Sequence, residues 1–257
     1  MSKYVTPALA KGLDILELLT SVGRPMKHAE IADALGRSKS ELFRMLVTLQ
    51  ERGYLDREAE SDAFMVTDKL FRLGLRVPHV RTLVDCALPA LERLTEEIEQ
   101  SAHLVVQRAG RTVVIASFSG GSDMAFSLKL GFGRVAADST SGQVIMAFQD
   151  VAGRERMLEE SLALLDAPPE RATVMAKLER IRAQGYEMHE SRDFHGISDL
   201  SAPILDDTGR AAASVVVAFV NRYGVENQQQ AALRALRQSC MAISGELGSP
   251  EGILPPI

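Results

Sequence analysis

Little in this sequence points across a membrane or out of the cell. No apolar run approaches the roughly 20 residues that a bilayer-spanning helix needs. The opening stretch MSKYVTPALAKG lacks the apolar core of a signal peptide. Cysteine is scarce: Cys86 and Cys240 lie far apart in helix-like runs, which excludes a disulfide framework and suggests buried small hydrophobes in a reducing cytoplasm. Excess positive charge is missing too. The formal net charge is −5, so the chain is not a basic nucleic-acid binder as a whole. Met1–Arg76 carries 12 Lys and Arg against 11 Asp and Glu, and the remainder carries 17 against 23. Internal repeats, low-complexity tracts and a Gly/Ser-rich linker are absent as well.

What is present fits two domains with ordinary cores: 257 residues, 46% hydrophobic and 25% charged. The first is organised around Ser38–Gly53, SKSELFRMLVTLQERG. Leu42, Met45, Leu46 and Leu49 recur at helical spacing and form one apolar face. Ser38 followed three residues later by Glu41 reads as a reciprocal capping box, and Gly53 closes the helix. The opposite face offers Ser40, Phe43, Arg44, Val47 and Glu51, with Lys39 near the N-terminus. Ahead of it, MKHAEIADAL reads as a shorter helix with Ile31, Ala32 and Leu35 inward, turned at Gly36 into the long one. Residues 8–20 form an earlier amphipathic helix, with Leu9, Leu13, Leu16 and Leu19 expected to pack behind the pair. Tyr54–Arg57 and Ala63–Val66, around the charged tip Glu58–Asp62, read as a two-stranded wing. Helix, helix-turn-helix and wing in this order is the pattern of a winged DNA-binding domain, whose long helix enters the major groove. Phosphate attraction must then be local, from Lys39, Arg44, Arg52 and Arg57.

Lys69–Val77 and Val80–Glu99 read as further helices, with Pro89 inside the second. From Ser101 the pattern changes. Ala102–Arg108 and Thr112–Phe118 form a hairpin, and Met124–Leu130 alternates as a third strand. Ala137–Ala147, ADSTSGQVIMA, is a polar loop opening a helix. Glu155–Leu165 and Val174–Gln184 are helical; Tyr186–His189, Leu200–Leu205 and Ala211–Phe219 are strands; Asn227–Leu247 is a closing helix. The fold class is α+β with a mostly antiparallel sheet flanked by helices. The domains are expected at 1–68, with a linker helix at 69–80 and a second domain at 81–257.

These segments in this order resemble the IclR family of bacterial transcription regulators. The likeness rests on ALAKGLDILELL, IADALGRSKSELFRMLVTLQERGYL, DSTSGQVIMAF, IRAQGYEMHESRDFHGI and LSAPILDDTGRAAASVVV, and spans about Pro7 to Leu247. It implies a winged helix-turn-helix domain, a linker helix and a GAF-like effector-binding domain. Its DNA-contacting positions would be Lys39, Ser40, Phe43, Arg44, Val47, Thr48 and Arg57. It also implies a small carboxylate effector held at Ser141 and Gly142, where free amides at a helix start make an anion site. His189 stands where the family often has an acid, Arg192 where glutamate is common and Asp199 where cysteine is frequent. Val216 and Ala218 stand where members binding small keto acids present serine. An apolar wall there favours an aromatic or branched acid, hydroxylated if Asp199 accepts its hydrogen bond, over glyoxylate or pyruvate. The implied protein controls an adjacent catabolic operon as activator or repressor. It is cytoplasmic, pairs as a homodimer or homotetramer, and needs no cofactor or metal.

Two alternatives use the same residues. The run HESRDFH gathers His189, Glu190, Asp193 and His195, but its spacing matches no helical metal pair. Ser139 or Ser141 with His189 and Asp199 has the residue types of a hydrolase, giving a catalytic or vestigial GAF-like sensor with a secondary winged domain. No nucleophile-elbow pattern surrounds either serine.

Overall fold

The computed structural model describes residues 6–58, 61–75, 78–120, 126–191, 194–220 and 228–256. It divides into two compact units, Met1–Arg81 and Thr82–Ile257. The first unit contains α1 (Pro7–Val22), α2 (His28–Ala34), α3 (Lys39–Glu51), β1 (Leu55–Arg57), β2 (Phe64–Val66) and α4 (Lys69–Leu75). Its core joins Ile15, Leu16 and Leu19 of α1 to Ile31, Leu42, Leu46, Leu55 and Phe64. The inward stripe of α1 is therefore shifted from the expected one: Leu9 is 63% exposed and Leu13 48% exposed. The inward face is rotated around the helix, centred on Ile15, Leu16 and Leu19. The capping box at Ser38 forms by half. Ser38 Oγ accepts from the Glu41 amide at 3.3 Å, but the Glu41 carboxylate turns away to Lys11 and to Arg37. That pairing holds the Glu41 carboxyl below its usual range, chiefly through the Lys11 hydrogen bond. A reciprocal bond forms instead at α2, where the Lys27 amide donates to Glu30 at 2.7 Å.

Gly36 sits at φ +62° in the turn between α2 and α3, a left-handed conformation that glycine adopts at least cost. β1 and β2 pair antiparallel as the wing, and Met26 adds an isolated bridge to Phe64. The linker region is helical over α4 and again over α5 (Pro78–Ile98), which continues through Pro89.

The second unit is built on a five-stranded antiparallel sheet in the order β4 (Arg111–Phe118), β3 (Ala102–Arg108), β7 (Ala211–Val220), β6 (Ile197–Leu205), β5 (Glu187–Glu190). One face buries Leu104, Leu200, Ala202, Ile204, Val215 and Val217 against α5 and α9 (Gln228–Glu246). Alternation along the strands sends His103, Val105, Asp199, Ser214, Val216 and Ala218 to the other face. There α6 (Thr140–Ala147) lies on β7, with α7 (Val151–Leu162) and α8 (Arg171–Gln184) around it.

The expected strand at Met124–Leu130 is not one. Met124 and Ala125 lie outside the described residues, and 126–130 carry no ladder. The chain joins the sheet edge only later: Thr112 N donates to Arg134 O, and Val114 N to Phe132 O. The period-two alternation was real, but its inward residues Phe126 and Leu128 face a cavity in place of a packed core.

Candidate functional site: an exposed helix face and a pocket

On α3 the outward face carries Lys39, Ser40, Phe43, Arg44 and Thr48, all exposed, with Val47 half-buried. Phe43 is 57% exposed, an apolar ring in water beside Arg44, and its nearest aromatic neighbour is His28 at 6.2 Å. His28 links the two helices, since its Nε2 lies 3.0 Å from the carbonyl of Lys39. Ser40 Oγ contacts Ser38 Oγ at 3.2 Å, and the Thr48 hydroxyl donates to the Arg44 carbonyl at 2.8 Å. Thr48 therefore presents its methyl and its oxygen lone pairs outward, since its proton is engaged. Arg57 is less available than the wing's sequence suggests. It pairs with Asp62 at 3.1 Å and stacks over Phe64 at 5.5 Å. Lys39 and Arg44 make no ion pair among the described residues.

The pocket lies on the second unit's sheet face, beside the start of α6. Its cavity volume is about 100 Å³. Ser141, His189, Asp199, Val216 and Ala218 all line it; Arg192 falls outside the described residues. The sheet register explains their convergence. His189, Asp199 and Ala218 are direct cross-strand partners, one row over β5, β6 and β7. A second row runs Glu187, Ser201, Val216, His103, Ser117 across all five strands. Val105, Val114 and Val216 form an apolar floor, with Leu128 against it. Phe126 and Phe194 meet edge to face at 5.0 Å between ring centres on the pocket wall.

One expected site residue is corrected. Gly142 does not offer a free amide: its N–H donates to Ser139 Oγ at 3.1 Å as the N-cap bond of α6. The glycine is there for space. A Cβ at this position would lie against Ala136 O and 2.6 Å from Ala136 Cα. The amides of the first turn that have no carbonyl one turn back are those of Thr140 and Ser141. Thr140 was missed, although it stands between the two serines that drew attention. Its hydroxyl lies 2.9 Å from His189 Nε2 and 3.5 Å from Asp199 Oδ2. His189 Nδ1 is 2.7 Å from the Glu190 carbonyl, which can only accept, so Nδ1 carries a proton. In the neutral ring Nε2 then accepts from Thr140. This is not a catalytic triad, because the carboxylate does not meet Nδ1 and neither serine meets Nε2. Among the described residues no His, Cys, Asp and Glu cluster could hold a metal ion. The Asp206 carboxylate is spent on its own turn, accepting from Thr208 N at 2.9 Å and Arg210 N at 3.0 Å.

His103 was also missed as a site residue. Buried under the floor, it accepts the Leu128 N–H at Nε2, 2.8 Å, and so ties the pocket's front wall to β3. Burial lowers its pKa from the usual 6.5 to about 4. Neutral His103 can keep this acceptor at ordinary pH. The signal in the sequence was a lone histidine in an apolar strand, which by itself does not say which face it takes.

An exposed winged-helix face in one unit and a polar-ended pocket in the other fit the class of DNA-binding transcription regulators. Comparison with known proteins agrees on the class. Residues 8–59 match the IclR helix-turn-helix domain, and residues 76–245 match the bacterial transcriptional regulator IclR C-terminal domain. The chain belongs to the IclR family of transcriptional regulators and is not an enzyme. It is 29% identical over 217 residues to the HTH-type transcriptional regulator BhcR of Paracoccus denitrificans, covering 82% of this chain and 76% of that protein. Against the glycerol operon regulatory protein of Streptomyces coelicolor it is 26% identical, covering 94% and 96%. An IclR homolog from Microbacterium hydrocarbonoxydans, solved in complex with 4-hydroxybenzoate, shares the fold with a TM-score of 0.78 at 18% identity, over 93% and 98% of the two chains.

Proposed function

We propose that this regulator takes a small carboxylic acid with an apolar body into the pocket beside α6, and that binding alters its hold on an operator near a catabolic operon. The observation carrying this reading is the convergence of Ser141, Thr140, His189 and Asp199 over a floor of valines. The amides of Thr140 and Ser141 and the positive end of α6 suit a carboxylate. Val216 and Ala218 suit an apolar ring or branched chain more than a second set of polar oxygens. The relative bound to 4-hydroxybenzoate supports an aromatic acid as a first candidate.

On the DNA side, Lys39, Ser40, Phe43, Arg44, Val47 and Thr48 form the reading face, with Arg57 a wing contact once it exchanges Asp62 for phosphate. A two-fold operator calls for a two-fold protein, so the working form is a homodimer or a pair of dimers acting in the cytoplasm. Exposed Leu70 and Leu73 on α4 are offered as part of the dimer contact; the side chains of Phe71 and Leu75 lie outside the described residues. No helix among the described residues is long and apolar enough to cross a membrane.

The test is calorimetry of the full-length protein with aromatic, branched and small keto acids, paired with gel shifts on DNA flanking its gene. Aromatic or branched acids should bind and change the shift. Val216→Ser should weaken them and improve glyoxylate or pyruvate. Wild-type protein that binds only the small keto acids would overturn the apolar-wall reading.

A further inference from the structure

The second turn of α6 holds a polar atom that the folded chain leaves unused. Gln143 is 4% exposed and lines the pocket. Its Nε2 donates to the Ala137 carbonyl at 2.7 Å. That bond fixes the amide's orientation, because two carbonyl oxygens cannot bond to each other. The outcome is that Oε1 is buried with no hydrogen-bond partner among the described residues. A buried acceptor without a donor is costly, and Gln143 is the residue among the buried unpaired ones that also lines the pocket.

We propose that Gln143 sets the chemical class of the effector: its side-chain oxygen accepts a hydrogen bond from a hydroxyl or amino group carried by the bound acid. This rests on the reading that the pocket beside α6 binds a small carboxylic acid, and it adds what that acid must carry. The amides of Thr140 and Ser141 precede Gln143 by three and two residues, about 3–5 Å along the axis, and the bond to the Ala137 carbonyl turns the Gln143 amide back toward the helix start. A carboxylate at those amides and a donor at Oε1 are thus within the span of one small molecule. A carboxylate alone satisfies the first position and leaves Oε1 unpaired. An acid whose donor reaches Oε1 gives it the partner that the fold withholds, and an acid without one leaves it unpaired. The pocket discriminates by the donor for the same reason: sites built to bond a hydroxyl reject analogues lacking one far more strongly than apolar pockets reject a missing methylene.

The experiment is titration calorimetry on the full-length chain with benzoate and its 3- and 4-substituted hydroxy, amino and fluoro forms, together with propionate and lactate. Fluorine is close to hydroxyl in size and cannot donate, so the series separates donor from bulk. The expected result is that one hydroxy isomer and its amino counterpart bind about tenfold or more tightly than the fluoro and unsubstituted acids. The near-isosteric Gln143→Met should abolish the difference in affinity between the hydroxy and fluoro acids. Fluoro and hydroxy acids of equal affinity in the wild type would overturn the proposal whatever the variant does. So would a donor preference that persists in a folded Gln143→Met. If no acid in the panel binds, the carboxylic-acid reading fails and carries this inference with it; if the parent acids bind without donor preference, only the role of Gln143 fails.

Discussion

Helices α3 and α6 start in the same way and serve opposite ends. Each is capped by a serine whose hydroxyl accepts from the amide three residues on, Ser38 from Glu41 and Ser139 from Gly142. Beyond the cap they diverge. α3 buries one stripe and leaves the other face in water, whereas all eight residues of α6 are buried. The third position shows the cost of that difference. On α3 it holds a glutamate that reaches out to Lys11 and Arg37; on α6 only glycine fits under Ala136. An exposed helix start can recruit charge for stability. A buried one must give its polar groups to a neighbouring strand, a turn or a ligand.

The sharpest way to break this contrast is Gly142→Ala. The added methyl would press on backbone at Ala136, which cannot swing aside as a side chain could. We expect a loss of about 2–4 kcal/mol from the second unit's stability, read by denaturant unfolding, together with loss of effector binding. The matching change at α3, Glu41→Ala, should cost well under half as much, because its ion pairs are solvent-exposed.

His103 separates the two units by pH. Its pKa in the fold, about 4, lies below the ordinary 6.5 of an unfolded chain. Below pH 6.5 the unfolded chain therefore binds a proton that the folded chain refuses. Stability from the neutral ring is complete above pH 6.5 and is lost as pH falls toward 4, by roughly 3 kcal/mol in all. The loss should appear in the second unit, as a lower protection factor at the Leu128 amide on acidification, measured against the slower intrinsic exchange in acid. His103→Gln, which keeps an acceptor near Nε2, should retain that protection at pH 7 and flatten the slope. An unchanged slope in the variant would show that another group is titrating.

This division also marks what the sequence could tell. The α3 face was legible because periodicity alone assigns each residue inward or outward. Leu9 and Leu13 misled, since more than one leucine-bearing stripe fits a helical period and packing chose the face centred on Ile15, Leu16 and Leu19. The pocket was less legible. His189, Asp199 and Ala218 are far apart in sequence and meet only through antiparallel register, and their placement came from family resemblance. Gly142 was misassigned because a cap and an anion site use the same amides. The alternation at Met124–Leu130 looked like a strand because a cavity wall and a sheet both sort residues in twos.

Arg44→Ala tests the exposed member of the pair. Arg44 projects from the outward face with no ion partner among the described residues, so its charge is available to DNA. Operator affinity should fall by about 1–3 kcal/mol if it reads a base edge, and by less, uniformly across sequences, if it meets phosphate. A gel-shift titration on operator and scrambled DNA distinguishes the two. Unchanged affinity in a folded variant would remove Arg44 from the interface.

The smallest expected effect compares the caps themselves. Ser38→Ala exposes the Glu41 amide to water, which can replace the lost acceptor, and should cost about 0.5–1 kcal/mol. Ser139→Ala removes the acceptor from a buried amide and also the hydroxyl's own bond to the Ala136 carbonyl at 3.2 Å. Water has no easy access there, so the cost should be larger, about 1–3 kcal/mol. The two units need not unfold together, so a single midpoint would blur the comparison. Hydrogen exchange at each helix start resolves it. The Glu41 amide should lose protection modestly in Ser38→Ala, and the Gly142 amide strongly in Ser139→Ala. Equal losses would mean that water reaches the start of α6 as freely as that of α3, and the proposal of a desolvated carboxylate site there would lose its main physical support.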